Sequence, residues 1–138
     1  FEWRIKMGVF ANIEKDKGAG TASAAIAEGR FLKRSGAGTV AQETVGTAAV
    51  LGVSAAAAEN GGQVRMYLPG QICRVQAGAD LNPATAAHRY LASDANGKAV
   101  AAVANDVIAA LWLPSGAVDP AADQFITVLL TDQTSIKA

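Results

Sequence analysis

The sequence predicts a mostly β chain, a small antiparallel β-barrel or sandwich-like domain with an extended N-terminal strand or arm. Short apolar runs recur about every ten residues, Gly, Pro and Asn separate them, and the clearest runs alternate with period two. The 138 residues suit one domain of ordinary size. Hydrophobic residues make up 51% of the chain, but 31 of them are Ala. Larger apolar side chains are therefore few, and the core must rely on close backbone approach.

Residues 1–10 alternate strictly, with Phe1, Trp3, Ile5, Met7 and Val9 on one side and Glu2, Arg4 and Lys6 on the other. That pattern is a strand with one dry face. Two readings remain open: a strand packed on its own core, or an arm that pairs with a neighbouring subunit or a larger partner. Residues 14–26 turn from charged to small and read as a loop or linker. The expected organisation is an arm and linker over residues 1–26 and a β-barrel-like domain over residues 27–138.

Residues 29–34 form the first run of that domain, closed by Ser35-Gly36-Ala37-Gly38, and residues 48–53 form the next. Asn60-Gly61-Gly62 precedes an alternating run at 63–68, Pro69-Gly70 marks a turn, and residues 71–75 alternate again. Residues 63–75 read as a hairpin. Asn82-Pro83 breaks the chain before a strand-like stretch around His88, and Asp94-Ala95-Asn96-Gly97 is a further turn signal. Residues 98–113 are ambiguous. Val100, Val103, Val107, Ile108 and Leu111 sit at helical spacing among Ala residues, whereas residues 107–113 suit a buried strand. Trp112, inside that apolar run, is expected in the core.

A weak internal repeat supports strands there. Residues 50–53 and 63–68, joined by an Ala/Gly-rich connection, resemble residues 108–111 and 124–129, joined by a connection containing Pro114 and Pro120. The two strand–loop–strand units would form halves of one barrel.

Twelve Lys and Arg balance twelve Asp and Glu, so there is no electrostatic footprint for nucleic acid. The longest uncharged stretch, residues 44–58, is too short to span a bilayer. Cys73 stands alone, which excludes an intrachain disulfide, and no Cys/His cluster suggests a metal. His88 is the single imidazole, and nothing places it beside Cys73 or another nucleophile. Glu59, Asp80, Asp94 and Asp119 lie within two residues of Gly, Asn or Pro, as turn formers do. No catalytic residue, cofactor site or metal site is expected, and the enzyme class has no positive support.

The ordered series Leu51-Gly52-Val53, Gly62-x-Val64-x-Met66-x-Leu68, Gly70, Val75-x-Ala77-Gly78-Ala79-x-Leu81, residues 93–99 and the alternating strand at 124–130 resembles the small decoration, or cement, proteins that stabilise the heads of tailed bacteriophages. Two positions depart from the pattern: Ala110 stands where the second repeat would carry a counterpart of Gly52, and Asn82-Pro83 replaces a Gly turn. The resemblance implies a β-barrel-like domain, commonly a homotrimer, on the outer capsid surface of the virion. There it would bind the major capsid protein and stabilise contacts between its copies, with no membrane or nucleic-acid partner. Phe1, Trp3, Ile5, Met7 and Val9 are the candidate capsid or subunit interface, since Trp and Phe dominate interface energetics. A receptor- or glycan-binding fibre module of the virion or cell surface is the alternative. A carrier domain modified at Lys98, which lies beside a turn, is a third reading that lacks the flanking Met residues of such sites.

Overall fold

Turn chemistry sets the strand boundaries, and burial on one face selects which strands pair. The computed structural model describes residues 20–114 and 119–138. Among these, ten short strands form two five-stranded sheets, the mostly β architecture that the alternation predicts. Sheet 1 contains β1 (Thr21–Ala22), β2 (Phe31–Gly36), β3 (Thr39–Gln42), β4 (Gly52–Ser54) and β5 (Met66–Tyr67), in the order β1-β3-β2-β4-β5. Sheet 2 contains β6 (Ile72–Gln76), β7 (Tyr90–Ser93), β8 (Ala99–Ala101), β9 (Ala110–Trp112) and β10 (Phe125–Leu130), in the order β6-β10-β9-β7-β8. Both sheets curl. The Ala22 N–H donates to the Gly62 carbonyl, which returns sheet 1 to its own first strand. Ala99 bridges to Ala77 just beyond β6, which brings the far edge of sheet 2 back toward its first strand.

Gly38, at φ +74°, completes the tight β2–β3 turn, and the register shifts between Arg34 and Gly36 as a bulge. In the β7–β8 hairpin Asp94 accepts the N–H groups of Asn96 and Lys98 through Oδ1, while Gly97 takes φ +75°. The main core lies where Phe31 and Val53 of sheet 1 meet Cys73, Val75, Leu91, Trp112, Ile126, Val128 and Leu130 of sheet 2. A second cluster, with Ala22, Leu32 and Val40, sits on the other face of sheet 1 and is closed by Ile26 and Val64. Trp112 is in the core as expected, 4% exposed. Thr21, Ala22 and Ile26, within the stretch read from sequence as linker, are built into sheet 1 or packed on it.

Two sequence readings need correction, and the strand reading of residues 98–113 holds. Residues 63–75 do not form a hairpin: β5 pairs with β4 and β6 pairs with β10, so the turn at Pro69-Gly70 carries the chain from one sheet to the other. His88 is not on a strand. It lies in a single 3₁₀ turn, Ala86–Arg89, because its N–H closes onto the Thr85 carbonyl and its ring accepts the Asn82 N–H at Nδ1. The strand begins only at Tyr90. The helical alternative for residues 98–113 gives way to β8 and β9, whose ladder partners on β7 and β10 outweigh the helix propensity of Ala.

Both halves of the internal repeat pair antiparallel, β4 with β5 and β9 with β10, but one in each sheet and not in equivalent register. Packing explains the Gly52/Ala110 difference. A Cβ on Gly52 would collide with the Tyr67 carbonyl and lie 3.1 Å from Met66 Sδ, whereas Ala110 is accommodated fully buried. Gly52→Ala should therefore destabilise the fold by about 2 kcal/mol through forced backbone displacement, and Ala110→Gly by about 0.5–1 kcal/mol through strand entropy. Urea unfolding of both variants measures the asymmetry.

Burial pushes the Cys73 thiol from 9.0 up to about 11. With the folded value raised, its contribution to stability is intact below pH 9 and is lost as the pH climbs toward 11. In the native protein Cys73 should react with a thiol reagent at least roughly tenfold more slowly than an exposed cysteine, because the thiolate is scarce and covered. Timed labelling in native and denaturing buffer checks this.

Candidate interaction surface

Period two gives every strand of sheet 2 a second face, and that face carries the apolar side chains the core does not use. On β6 and β10, Cys73, Val75, Ile126 and Val128 point inward. Ile72, Arg74, Phe125, Thr127 and Leu129 therefore point outward. Leu129 is opposite both Ile72 and Leu111, and Leu111 is opposite Tyr90. An apolar row thus crosses four strands: Ile72, Leu129, Leu111, Tyr90. Ile72 is 61% exposed and Tyr90 39%. Leu113, two residues beyond Leu111, continues the outward set at the end of β9.

Phe125 anchors the other end of this face. Its ring lies against Gly29, at φ +72°, where an added Cβ would strike the ring edge. The Arg74 guanidinium carbon sits 5.0 Å from the ring centroid, in cation–π range. This arrangement is polar at one margin and apolar across the centre, as interaction surfaces commonly are.

The chemical inventory is placed elsewhere. Cys73 is in the core, and His88 is half-buried in its turn beside Asn82. They line different clefts. Among the described residues no group of three His, Cys, Asp or Glu is arranged to hold a metal ion. Lys98 is not a free hairpin-tip lysine: its Nζ lies 2.6 Å from Asp123 Oδ1, and its side chain is 20% exposed. The hydrogen bond and charge of Lys98 lower the Asp123 carboxyl below its usual value. No helix among the described residues is long and apolar enough to cross a membrane.

Phe1, Trp3, Ile5, Met7 and Val9 lie outside the described residues. The outward row on sheet 2 is the surface that sequence reading missed. Its signal was present, since the alternation of residues 71–75 and 124–130 fixes two faces for each strand. What the sequence does not show is that the four strands lie side by side.

No family model matches the chain, and no curated protein matches it either. Among solved structures, the fold is similar to the crystal structure of the N base of head fiber gp8.5 in bacteriophage phi29. The TM-score is 0.63 at 15% identity, and the match covers 86% of this chain and 95% of that one. At that identity the likeness is one of fold.

Proposed function

We propose that this protein is a non-catalytic structural component of a bacteriophage virion, seated on the outer surface of the head. There it binds the major capsid protein and stabilises contacts between its copies. The single observation that carries this reading is the fold shared with a head fiber base along nearly the whole length of both chains. The decoration-protein resemblance of the sequence points the same way, and the outward apolar row on sheet 2 supplies a surface that gains by being covered. A protein that binds an assembled lattice, and not its separate pieces, stabilises the lattice by mass action. Association as a homotrimer belongs to the same proposal. The candidate contacts are Phe1, Trp3, Ile5, Met7 and Val9 of the N-terminal segment, together with Tyr90 and Leu113.

A receptor- or glycan-binding role is the second reading. An open cleft of about 360 Å³, lined by Pro83, Thr85, Arg89 and Tyr90 among others, favours it. Aromatic and guanidinium groups beside one another suit a polar ring ligand. Saturable binding to a glycan array, lost in Tyr90→Ala and Arg89→Ala together, would establish that role.

Cosedimentation with capsid shells that lack the protein tests the main reading. Binding should saturate at a fixed ratio to capsid subunits. Leu113→Asp places a charge on the 38%-exposed edge of the apolar face, so it should weaken binding at least roughly tenfold while leaving the unfolding midpoint nearly unchanged. Failure of the unaltered protein to bind its cognate shells would overturn the proposal.

A further inference from the structure

The cleft beside Tyr90 holds a hydrogen-bond donor that the fold leaves unused. Among the described residues, Glu43 Oε2 is the one sealed side-chain polar atom without a partner. The Trp112 indole N–H has no acceptor among those residues either, so it is not sealed in the core. It opens where Trp112, 4% exposed, reaches the surface on the floor of this cleft. A core tryptophan normally pairs its N–H within the protein. One that meets a cleft instead is a donor already in place for a ligand.

The pairing of β7 with β9 brings a charge to the same spot. Tyr90 is opposite Leu111 and Leu91 opposite Ala110, so the next step of the register sets Arg89 across from Trp112. Arg89 is exposed, lines the cleft, and takes part in no ion pair among the described residues. None of the described residues lining the cleft is acidic. Thr85 adds a hydroxyl, and Pro83, Pro114 and the Tyr90 ring supply apolar walls. The cleft is thus rich in donors, singly positive and walled by rings.

We propose that this cleft binds an acidic sugar, a hexuronic acid residue of a glycan. Its carboxylate takes the Arg89 guanidinium through paired hydrogen bonds. Its ring lies against Tyr90 and the prolines, and its hydroxyl oxygens accept from the Trp112 N–H and the Thr85 hydroxyl. The proposal rests on the glycan-binding reading of the cleft and narrows it to one class of sugar. A neutral hexose offers Arg89 no charged partner in exchange for the water it displaces, so it binds less well.

Titration of the full chain with methyl glucuronide and methyl glucoside, followed by NMR at the Trp112 indole N–H, tests this. The two probes share a ring and differ in the carboxylate. The chain has two tryptophans, so Trp3→Phe assigns the signal. The glucuronide should shift it saturably, and the glucoside should bind at least roughly tenfold more weakly. Arg89→Gln should bring the glucuronide down to the affinity of the glucoside, with the unfolding midpoint nearly unchanged because Arg89 is exposed. Equal affinity for the two sugars in the unaltered chain would overturn the proposal and keep the broader glycan reading. An indole signal that moves with neither sugar would overturn both. A preference that survives Arg89→Gln, or acetate that binds as tightly as the glucuronide, would also overturn the proposal.

Discussion

Everything in this fold depends on one crossing, where residues 29–31 join the two sheets. The Gly29 N–H donates to the Ser54 carbonyl in sheet 1, and the Gly29 carbonyl accepts the Gln76 N–H of sheet 2. Arg30 donates its backbone N–H to Ser54 Oγ, its Nε–H to Gln76 Oε1 and an Nη1–H to the Asn96 carbonyl. The Phe31 N–H then donates to the Gly97 carbonyl while its ring enters the shared core. Ser54 Oγ–H donates to the Ala27 carbonyl at 2.7 Å, so a buried hydroxyl ties both sides of the crossing. With so few large apolar side chains, two thin sheets need a hydrogen-bonded joint as well as a core. Gly29 and Gly97 belong to that joint because each takes a positive φ and lies too close to its neighbours for a Cβ.

The joint also explains where function is placed. Because the core is shared between the sheets, the inner face of sheet 2 is consumed by packing, and its outer face is left to the solvent or a partner. The outward row from Ile72 to Tyr90 spans four strands that a single core holds in register. A rigid sheet presents such a row with little entropy left to lose on contact. That suits a protein whose proposed task is to hold others in place.

What the sequence revealed was local. Alternation in residues 71–75 and 124–130 identified two strands and both faces of each, and Asp94 to Gly97 announced its turn through Asx chemistry. What it hid was partnership. Nothing near Pro69-Gly70 shows that Tyr67 returns to Val53 while Ile72 pairs forward with Leu129. β3 escaped notice because Thr39-Val40-Ala41-Gln42 carries one large apolar residue, and its identity as a strand comes from the ladder to β2. The 99–111 stretch could be decided only by its neighbours, since Ala propensity and Val branching pull in opposite directions. His88 misled for a related reason: the turns that hold it are made by Asn82 and Thr85, several residues upstream.

The central claim is that this fold stabilises a capsid lattice by covering it. Calorimetry of capsid shells, with and without saturating protein, measures that directly. The shell disruption temperature should rise with protein occupancy and level off once the sites are filled. A disruption temperature that stays constant while the protein is bound at full occupancy would contradict the account.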